Sequence, residues 1–190
     1  PKIITCSISG FGDTEVNRPA YDNLIQGYAG AMSITGSDKE NPVKSGIPIA
    51  DLGAGLYAVI GILSAIQSRE KNDSGEHVDI SMLDTQVSLL TYMATMHFLS
   101  GENPEPIGNQ HMNHVPFNSY RTSDGFIQIG VVAEDFWPSL IEALNLRKLD
   151  TEENKVRSGR LKNRENIDQA IQEVFLTNTT EHWLKTLQEQ

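Results

Sequence analysis

The chain has 190 residues and a hydrophobic share of 38%, which is enough to build one large packed domain or two small ones. Its formal net charge of −10 excludes a nucleic-acid surface, because phosphate binding requires clustered Lys and Arg. The single cysteine, Cys6, excludes an intrachain disulfide and a multi-cysteine zinc framework, which suits a reducing cytoplasm, and its apolar neighbours predict a buried structural thiol.

The first hundred residues alternate between strand and helix patterns. A β-branched run at 3–8 predicts a buried parallel strand, and residues 21–32 carry apolar side chains at helical spacing. Leu52–Ser68 is uncharged but short for a bilayer span of about 20 residues, so we expect a buried core helix and no membrane partner. A strand at 77–80 and one helix from 81 to 99 follow. The alternation predicts an α/β domain with a mainly parallel sheet.

A segment with prolines, glycines and no periodicity divides the chain at residues 101–114. We therefore predict one domain over 1–100, a linker over 101–114 and a smaller α+β domain over 115–190. In the last, two apolar runs flank 123–125, a turn sequence in which Gly125 can take a positive φ, and so predict a β-hairpin. Apolar stripes at 136–144 and 167–175 predict helices.

Two patterns that suggest ligand binding are incomplete. The Gly10-Phe11-Gly12 segment resembles the start of a dinucleotide fingerprint, but position 15 is Glu where the third glycine is required. His111 and His114 are three residues apart, with no nearby Asp, Glu or Cys to complete a metal site. We predict neither a dinucleotide cofactor nor a metal.

Asp51 is the acid whose surroundings are most informative. It follows the Gly- and Pro-containing segment 46–50 and precedes a helix whose first turns contain Gly53 and Gly55. Free backbone N–H groups and the helix dipole can hold such a carboxylate in its ionised form, so it could be a plain N-cap. The glycines favour a second reading, in which a ligand approaches the backbone where a helix built for stability would carry Ala.

The sequence around Asp51 resembles the signature of the family III CoA transferases, the carnitine and bile-acid CoA transferase group. The signature is KSGIPIADLGAGLYA at 44–58. Four further blocks are similar to family blocks and occur in the family's order: SISGFG at 7–12, RPAYD at 18–22, GEHVDISMLD at 75–84 and NHVPF at 113–117.

This resemblance implies an enzyme that moves CoA from an acyl-CoA to a carboxylic acid. Asp51 is then the nucleophile that forms an acyl-aspartyl anhydride, and no cofactor is needed beyond the CoA thioester itself. Tyr21 and Asp22 match positions near the reacting acyl group, although ordinary helix-start residues remain an equal interpretation. Gly108 lies in a segment that covers the site in some members.

The resemblance also implies a longer parent protein. Family members carry Rossmann-like strands and most CoA contacts in a preceding part, and they interlock as homodimers, so we expect a central fragment of a cytoplasmic enzyme. Two alternatives stay open. The α-methylacyl-CoA racemases share the fold but have His where this chain has Tyr21, and the fragment could instead be a structural piece without catalytic competence.

Overall fold

The computed structural model describes residues 1–14, 16 and 18–188, which separate into two units, Pro1–Gly108 and Asn109–Gln190. Each unit mixes helices and strands, so the mixed α/β class predicted from the sequence is confirmed. The helices and strands described in the first unit are β1 (Thr5–Ser9), α1 (Asp22–Tyr28), a short 3-10 helix (Ala31–Ile34), α2 (Ile49–Asn72), β2 (His77–Ser81), α3 (Met82–Ser88) and α4 (Tyr92–Ser100).

Strands β1 and β2 form a small parallel sheet, with Thr5 opposite His77 and Ser9 opposite Ser81. Helix α2, the last helix of the connection between them, packs on the sheet, where Val78 lies so close to Gly61 that no side chain would fit at that glycine. Each strand has only the other as a neighbour among the described residues. The prediction of a buried strand and a buried Cys6 is therefore wrong, since most of β1, including the thiol, is exposed.

Helix α2 is the longest helix of the described chain and carries a stripe of small side chains on one face. Its alanines and straight-chain residues favour a helix, and Asp73 ends it in the left-handed conformation, with its N–H donating to the carbonyl of Arg69. The small side chains let α1 and α3 approach closely, and Ile25 and Met82 pack there against Ala50 and Ala54. The buried members of the stripe are Ala50, Gly53, Ala54, Ala58 and Ala65.

The opposite face of α2 is open, which corrects the prediction of a fully buried core helix. Leu56 is 66% exposed, and Leu52, Ile60 and Leu63 are more than half exposed. Apolar residues surround the whole helix, so the periodicity did not show which face would be buried. By length and composition alone, Ile49–Asn72 could also cross a membrane.

The single helix predicted over 81–99 is in fact two helices. Ser81 caps α3 with its hydroxyl, which accepts a hydrogen bond from the Asp84 N–H at 3.1 Å. Helix α3 ends at Ser88, and Thr91 has a φ of +50°, a left-handed conformation that interrupts the helical path before α4 begins at Tyr92.

The second unit contains the predicted hairpin and is otherwise helical. Its described elements are β3 (Phe117–Arg121), β4 (Phe126–Gly130), α5 (Phe136–Ala143), a short 3-10 helix (Arg147–Leu149), α6 (Arg157–Lys162), α7 (Arg164–Phe175) and α8 (Thr180–Gln188). Strands β3 and β4 pair antiparallel with Tyr120 opposite Ile127, so the hairpin is confirmed. The turn does not use the freedom of Gly125 to take a positive φ.

Asp124 in the hairpin turn caps helix α8. Its carboxylate accepts hydrogen bonds from the Thr180 N–H at 2.8 Å and from the Thr180 hydroxyl at 2.9 Å. These bonds hold the pKa of Asp124 below its ordinary value. The helices predicted at 136–144 and 167–175 are confirmed as α5 and α7, and both contribute to one core that includes Trp137, Leu140, Ile167, Ile171 and Phe175. Phe136, the first residue of the predicted α5 stripe, is instead 57% exposed.

Candidate active site

Asp51 is the third residue of α2, after Ile49 and Ala50, and its side chain is exposed. Successive helical residues turn by about 100°, so burying Ala50 directs the next residue out of the core. The N-cap of the helix is Pro48, which has no side-chain cap. Asp51 is therefore not a plain N-cap, and this alternative from the sequence is wrong.

The first backbone N–H groups of α2 have partners other than the Asp51 carboxylate. The N–H of Ile49 donates to the Ile47 carbonyl at 2.8 Å, and that of Leu52 donates to the Pro48 carbonyl at 3.0 Å. The N–H groups of Ala50 and Asp51 both donate to Asp22 Oδ1, at 2.9 and 3.4 Å. These are the groups that an N-cap side chain usually serves, so Asp22 caps α2 from a different helix.

Because Asp22 caps α2, the Asp51 carboxylate is not occupied in capping the helix. Within residues 1–14, 16 and 18–188, that carboxylate makes no hydrogen bond and no ion pair within 4 Å. It lies at the positive end of a 24-residue helix, whose dipole favours a negative charge in the first turn. An exposed carboxylate that is free of hydrogen bonds has its oxygens available for attack on a carbonyl carbon.

A buried glutamine extends the contacts of Asp22. Gln26 is 1% exposed, and its Nε2 donates to Asp22 Oδ2 at 2.6 Å. Its Oε1 accepts from the N–H of Ser45 at 2.8 Å, in the loop that leads to α2. The sequence reasoning missed Gln26. The sequence did contain a signal for this contact, because Asp and Gln side chains four residues apart on a helix are neighbours.

Tyr21 immediately precedes α1 and occupies its N-cap position with an extended backbone. Its carbonyl accepts the N–H of Ile25, and its ring is 67% exposed. Tyr21 and Asp22 are thus brought to the start of α1, where Asp22 reaches the start of α2. No hydrogen bond in the described part of the chain joins the Tyr21 side chain to Asp51, and its role near an acyl group stays a prediction.

Gly108 lies in a different part of the first unit from these residues. Its φ is +62°, and its N–H donates to the carbonyl of Gly36 at 2.6 Å. A Cβ at Gly108 would come 3.9 Å from the Cβ of Ser37. These contacts bring Gly108 to the loop after the 3-10 helix, and its covering role also stays a prediction.

The two glycines of the first turns of α2 have different surroundings. A Cβ at Gly53 would lie 3.1 Å from the side chains of Thr85 and Leu89, so this glycine permits close packing of α3 on α2. A Cβ at Gly55 would meet no atom within 4 Å. Gly55 is one helical turn beyond Asp51 on the same face, and it leaves bare backbone beside the carboxylate.

We expect Gly55→Ala to make the protein more stable and less active. Alanine gains about 0.5–1 kcal/mol over glycine inside a helix, and the added methyl group meets no neighbour in the first unit. The same methyl group occupies the approach to Asp51, and misplacing reacting atoms by about 1 Å can cost 10²-fold in rate. Denaturant unfolding of the full-length protein, and its rate in the CoA transfer that the sequence resemblance implies, test this. Ser64→Ala on α2 is the control and should keep full activity.

One apolar cavity of the first unit does not include Asp51. It has a volume of about 510 Å³ and lies beside the 3-10 helix and α4. Its apolar lining includes Ile34, Leu90, Met93, Phe98 and Pro104. Asp51 instead stands on the exposed surface of the unit.

The histidines at 111 and 114 are the remaining residues considered from the sequence. Their rings are 4.7 Å apart, and burial lowers the pKa of His114. In the ranges that the structure describes, no group of three or more His, Cys, Asp or Glu side chains is arranged to hold a metal ion.

The whole chain, residues 1–190, matches the family model described as CoA-transferase family III. The chain is 34% identical over 163 residues to the succinate–glutarate CoA-transferase of Agrobacterium fabrum, and the match covers 83% of this chain and 41% of that protein. It is 30% identical over 187 residues to the human succinyl-CoA:glutarate CoA-transferase, covering 97% of this chain and 43% of the human protein.

A solved structure agrees with these relationships. The chain superposes on the crystal structure of a CAIB/BAIF family protein from Brucella suis with a TM-score of 0.88 and 32% identity, covering 100% of this chain and 51% of that one. The chain therefore spans about half the length of the relatives it matches. Because the family model matches all 190 residues, the chain belongs to CoA-transferase family III.

Proposed function

We propose that the full-length protein is a CoA transferase that moves coenzyme A between an acyl-CoA and a small carboxylic acid. Membership of the family and the named activities of two relatives support this class of reaction. Both relatives are named for dicarboxylic acids, so succinyl-CoA with glutarate is the first substrate pair to test. One structural observation carries the proposal: the exposed Asp51 carboxylate at the start of α2 has no hydrogen bond among the described residues.

In the proposed mechanism, an oxygen of the Asp51 carboxylate attacks the thioester carbonyl of the acyl-CoA. The C–S bond breaks, CoA leaves as a thiolate, and an acyl-aspartyl anhydride forms. The thiolate then attacks the Asp51 carbonyl of the anhydride, which releases the first acid and gives an aspartyl-CoA thioester. The acceptor carboxylate attacks that thioester to form a second anhydride, and the thiolate attacks its acyl carbonyl to release the new acyl-CoA.

Each intermediate is open to hydrolysis, so the complete site has to exclude water. It also has to stabilise the oxyanion formed at each attack. The N–H groups of Ala50 and Asp51 already donate to Asp22, so the oxyanion donors must come from elsewhere. We assign Tyr21 to contact with the acyl group and Gly108 to a segment that covers the site. No cofactor is required beyond the CoA thioester substrate.

The same proposal extends to the architecture of the parent protein. We infer that the first unit belongs to a Rossmann-like large domain and the second to a smaller α+β domain, in a cytoplasmic, interlocked homodimer. The missing part of the large domain would supply most of the CoA contacts. This is consistent with a chain that has a net charge of −10 and yet is proposed to act on a polyanionic substrate.

A racemase is the less favoured alternative. Proton transfer at an α-carbon requires a positioned base, and this chain has Tyr21 where the racemases carry His. The two relatives compared above are named as transferases.

The test is to incubate the full-length protein with succinyl-CoA and glutarate and to follow glutaryl-CoA by chromatography. In a parallel reaction, hydroxylamine is added with the acyl-CoA and the peptides are mapped by mass spectrometry. We expect glutaryl-CoA to form and a hydroxamate to appear at Asp51. Solvent deuterium entering the α-carbon of a methylacyl-CoA, without CoA transfer to any of a panel of acids, would instead support a racemase.

A further inference from the structure

Two backbone N–H groups lie at the ends of a short chain of hydrogen bonds below Asp51. At one end, the Ser45 N–H donates to Gln26 Oε1 at 2.8 Å. Gln26 Nε2 then donates to Asp22 Oδ2 at 2.6 Å, and Asp22 Oδ1 accepts the Ala50 N–H at 2.9 Å. These three hydrogen bonds join the loop before α2, helix α1 and the first turn of α2.

The polarity of these bonds is fixed by chemistry. A backbone N–H can only donate, so the Gln26 atom facing Ser45 has to be the oxygen, and the amide nitrogen has to face Asp22. Residue 22 then receives one donor on each side, from Gln26 and from Ala50. Only a carboxylate accepts on both sides, so the amide at 26 and the acid at 22 require each other.

Because the groups in these hydrogen bonds are at least partly buried, losing one of the bonds is costly. Gln26 is 1% exposed and Ala50 is fully buried, so water does not readily replace a lost partner. The Asp22 carboxylate also accepts the N–H of Asp51 at 3.4 Å. A displacement of Asp22 is thereby transmitted to the backbone that carries the Asp51 side chain.

We propose that Gln26 is a positioning residue for the transfer reaction, which orients the Asp22 carboxylate and so fixes the start of α2 and the direction of the Asp51 side chain. This inference rests on the proposed function. Gln26 itself does not reach the reacting atoms, because its amide is buried between Asp22 and Ser45.

Three variants of the full-length protein test the role of the hydrogen-bond polarity. In Gln26→Glu, a carboxylate at 26 faces the carboxylate at 22, so two acceptors meet. In Asp22→Asn, the amide nitrogen at 22 faces the amide nitrogen of Gln26, so two donors meet. We expect each single variant to lower kcat about 10- to 100-fold, with little change in the KM for acyl-CoA, because a nucleophile displaced by about 1 Å loses rate on this scale. Each is also expected to lower the thermal midpoint.

The double variant Asp22→Asn with Gln26→Glu reverses the middle bond and restores every pairing. The introduced glutamate accepts from Ser45 and from the new amide at 22, and that amide oxygen accepts the Ala50 N–H. We expect kcat to recover to within about fivefold of wild type, with the thermal midpoint restored, because coupled partners in one network are strongly non-additive.

Gln86→Leu serves as the matched control. Gln86 is another buried glutamine of the first unit, 4% exposed, and its Oε1 has no partner among the described residues. We expect this variant to keep wild-type kcat and an equal or higher thermal midpoint, because it removes an unpaired buried polar atom.

The outcomes separate the positioning role from the function on which it rests. Single variants with normal kcat would overturn the proposal, and so would a double variant whose kcat is no higher than that of the singles. Recovery of the midpoint without recovery of kcat would mean that the charge of Asp22 acts on the reacting atoms. A wild-type protein with no transfer and no adduct at Asp51 would contradict the proposed function itself.

Discussion

An Asp51→Ala variant of the full-length protein is expected to lose CoA transfer by on the order of 10³-fold or more, because removal of a covalent nucleophile eliminates the anhydride route. The side chain is exposed and makes no hydrogen bond among the described residues, so its loss should leave the stability of the fold unchanged. Transfer rates with succinyl-CoA and glutarate, together with a thermal unfolding curve, measure both quantities.

Two further variants make the result specific. Asp84→Ala removes another exposed acid from the first turn of a helix, α3, and should retain wild-type activity. Asp51→Glu keeps the carboxylate but moves it by one methylene, and we expect a loss of about 10²-fold. If Asp51→Ala exchanges CoA at the wild-type rate, the assignment of the nucleophile is wrong.

The predictions of the fold succeeded where a local pattern sufficed. The β3–β4 hairpin follows from two apolar runs around a turn sequence, and α5 and α7 follow from stripes that face one core. The division between α3 and α4 was not predictable in this way. Leu89, Leu90 and Thr91 continue the apolar pattern without Gly or Pro, so nothing in the sequence marks the left-handed Thr91.

Burial was harder to predict than secondary structure. The exposure of Cys6 and of Leu56 depends on which elements lie beside β1 and α2, and a periodic pattern does not contain that information. The long apolar helix was identified correctly as a helix. Its open face became visible only when the neighbours of each residue were known.

In the candidate site, too, the local feature was predictable and the long-range contact was not. The position of Asp51 at the start of a helix followed from Pro48 and the glycines beyond it. The capping of that helix by Asp22 did not, because the bond from Ala50 joins residues 28 positions apart. The sequence therefore singled out Asp51, but it did not indicate that Asp22 would accept the N–H groups expected to hold the Asp51 carboxylate.

Arg160→Leu is expected to lower the free energy of unfolding of the second unit by about 3 kcal/mol or more, since each buried carbonyl left without a donor costs about 1–3 kcal/mol. The Arg160 side chain is 1% exposed and donates to the carbonyls of Val115, Asn154 and Lys155 at 2.8, 3.0 and 3.2 Å. Its Nη2 donates to Glu134 Oε2 at 2.7 Å and holds the pKa of that carboxyl below its ordinary value.

Arg157→Leu is the matched control for this prediction. Arg157 lies on the same helix, α6, and is exposed, and its backbone N–H keeps its bond to Glu134 whatever the side chain is. We expect its unfolding free energy to change by less than about 0.5 kcal/mol. Both tryptophans, Trp137 and Trp183, lie in the second unit, so urea titration followed by tryptophan fluorescence reports on this unit directly. Equal urea midpoints for the two variants would mean that the hydrogen bond from Arg160 to the Val115 carbonyl, which joins α6 to the segment before the hairpin, does not stabilise the unit.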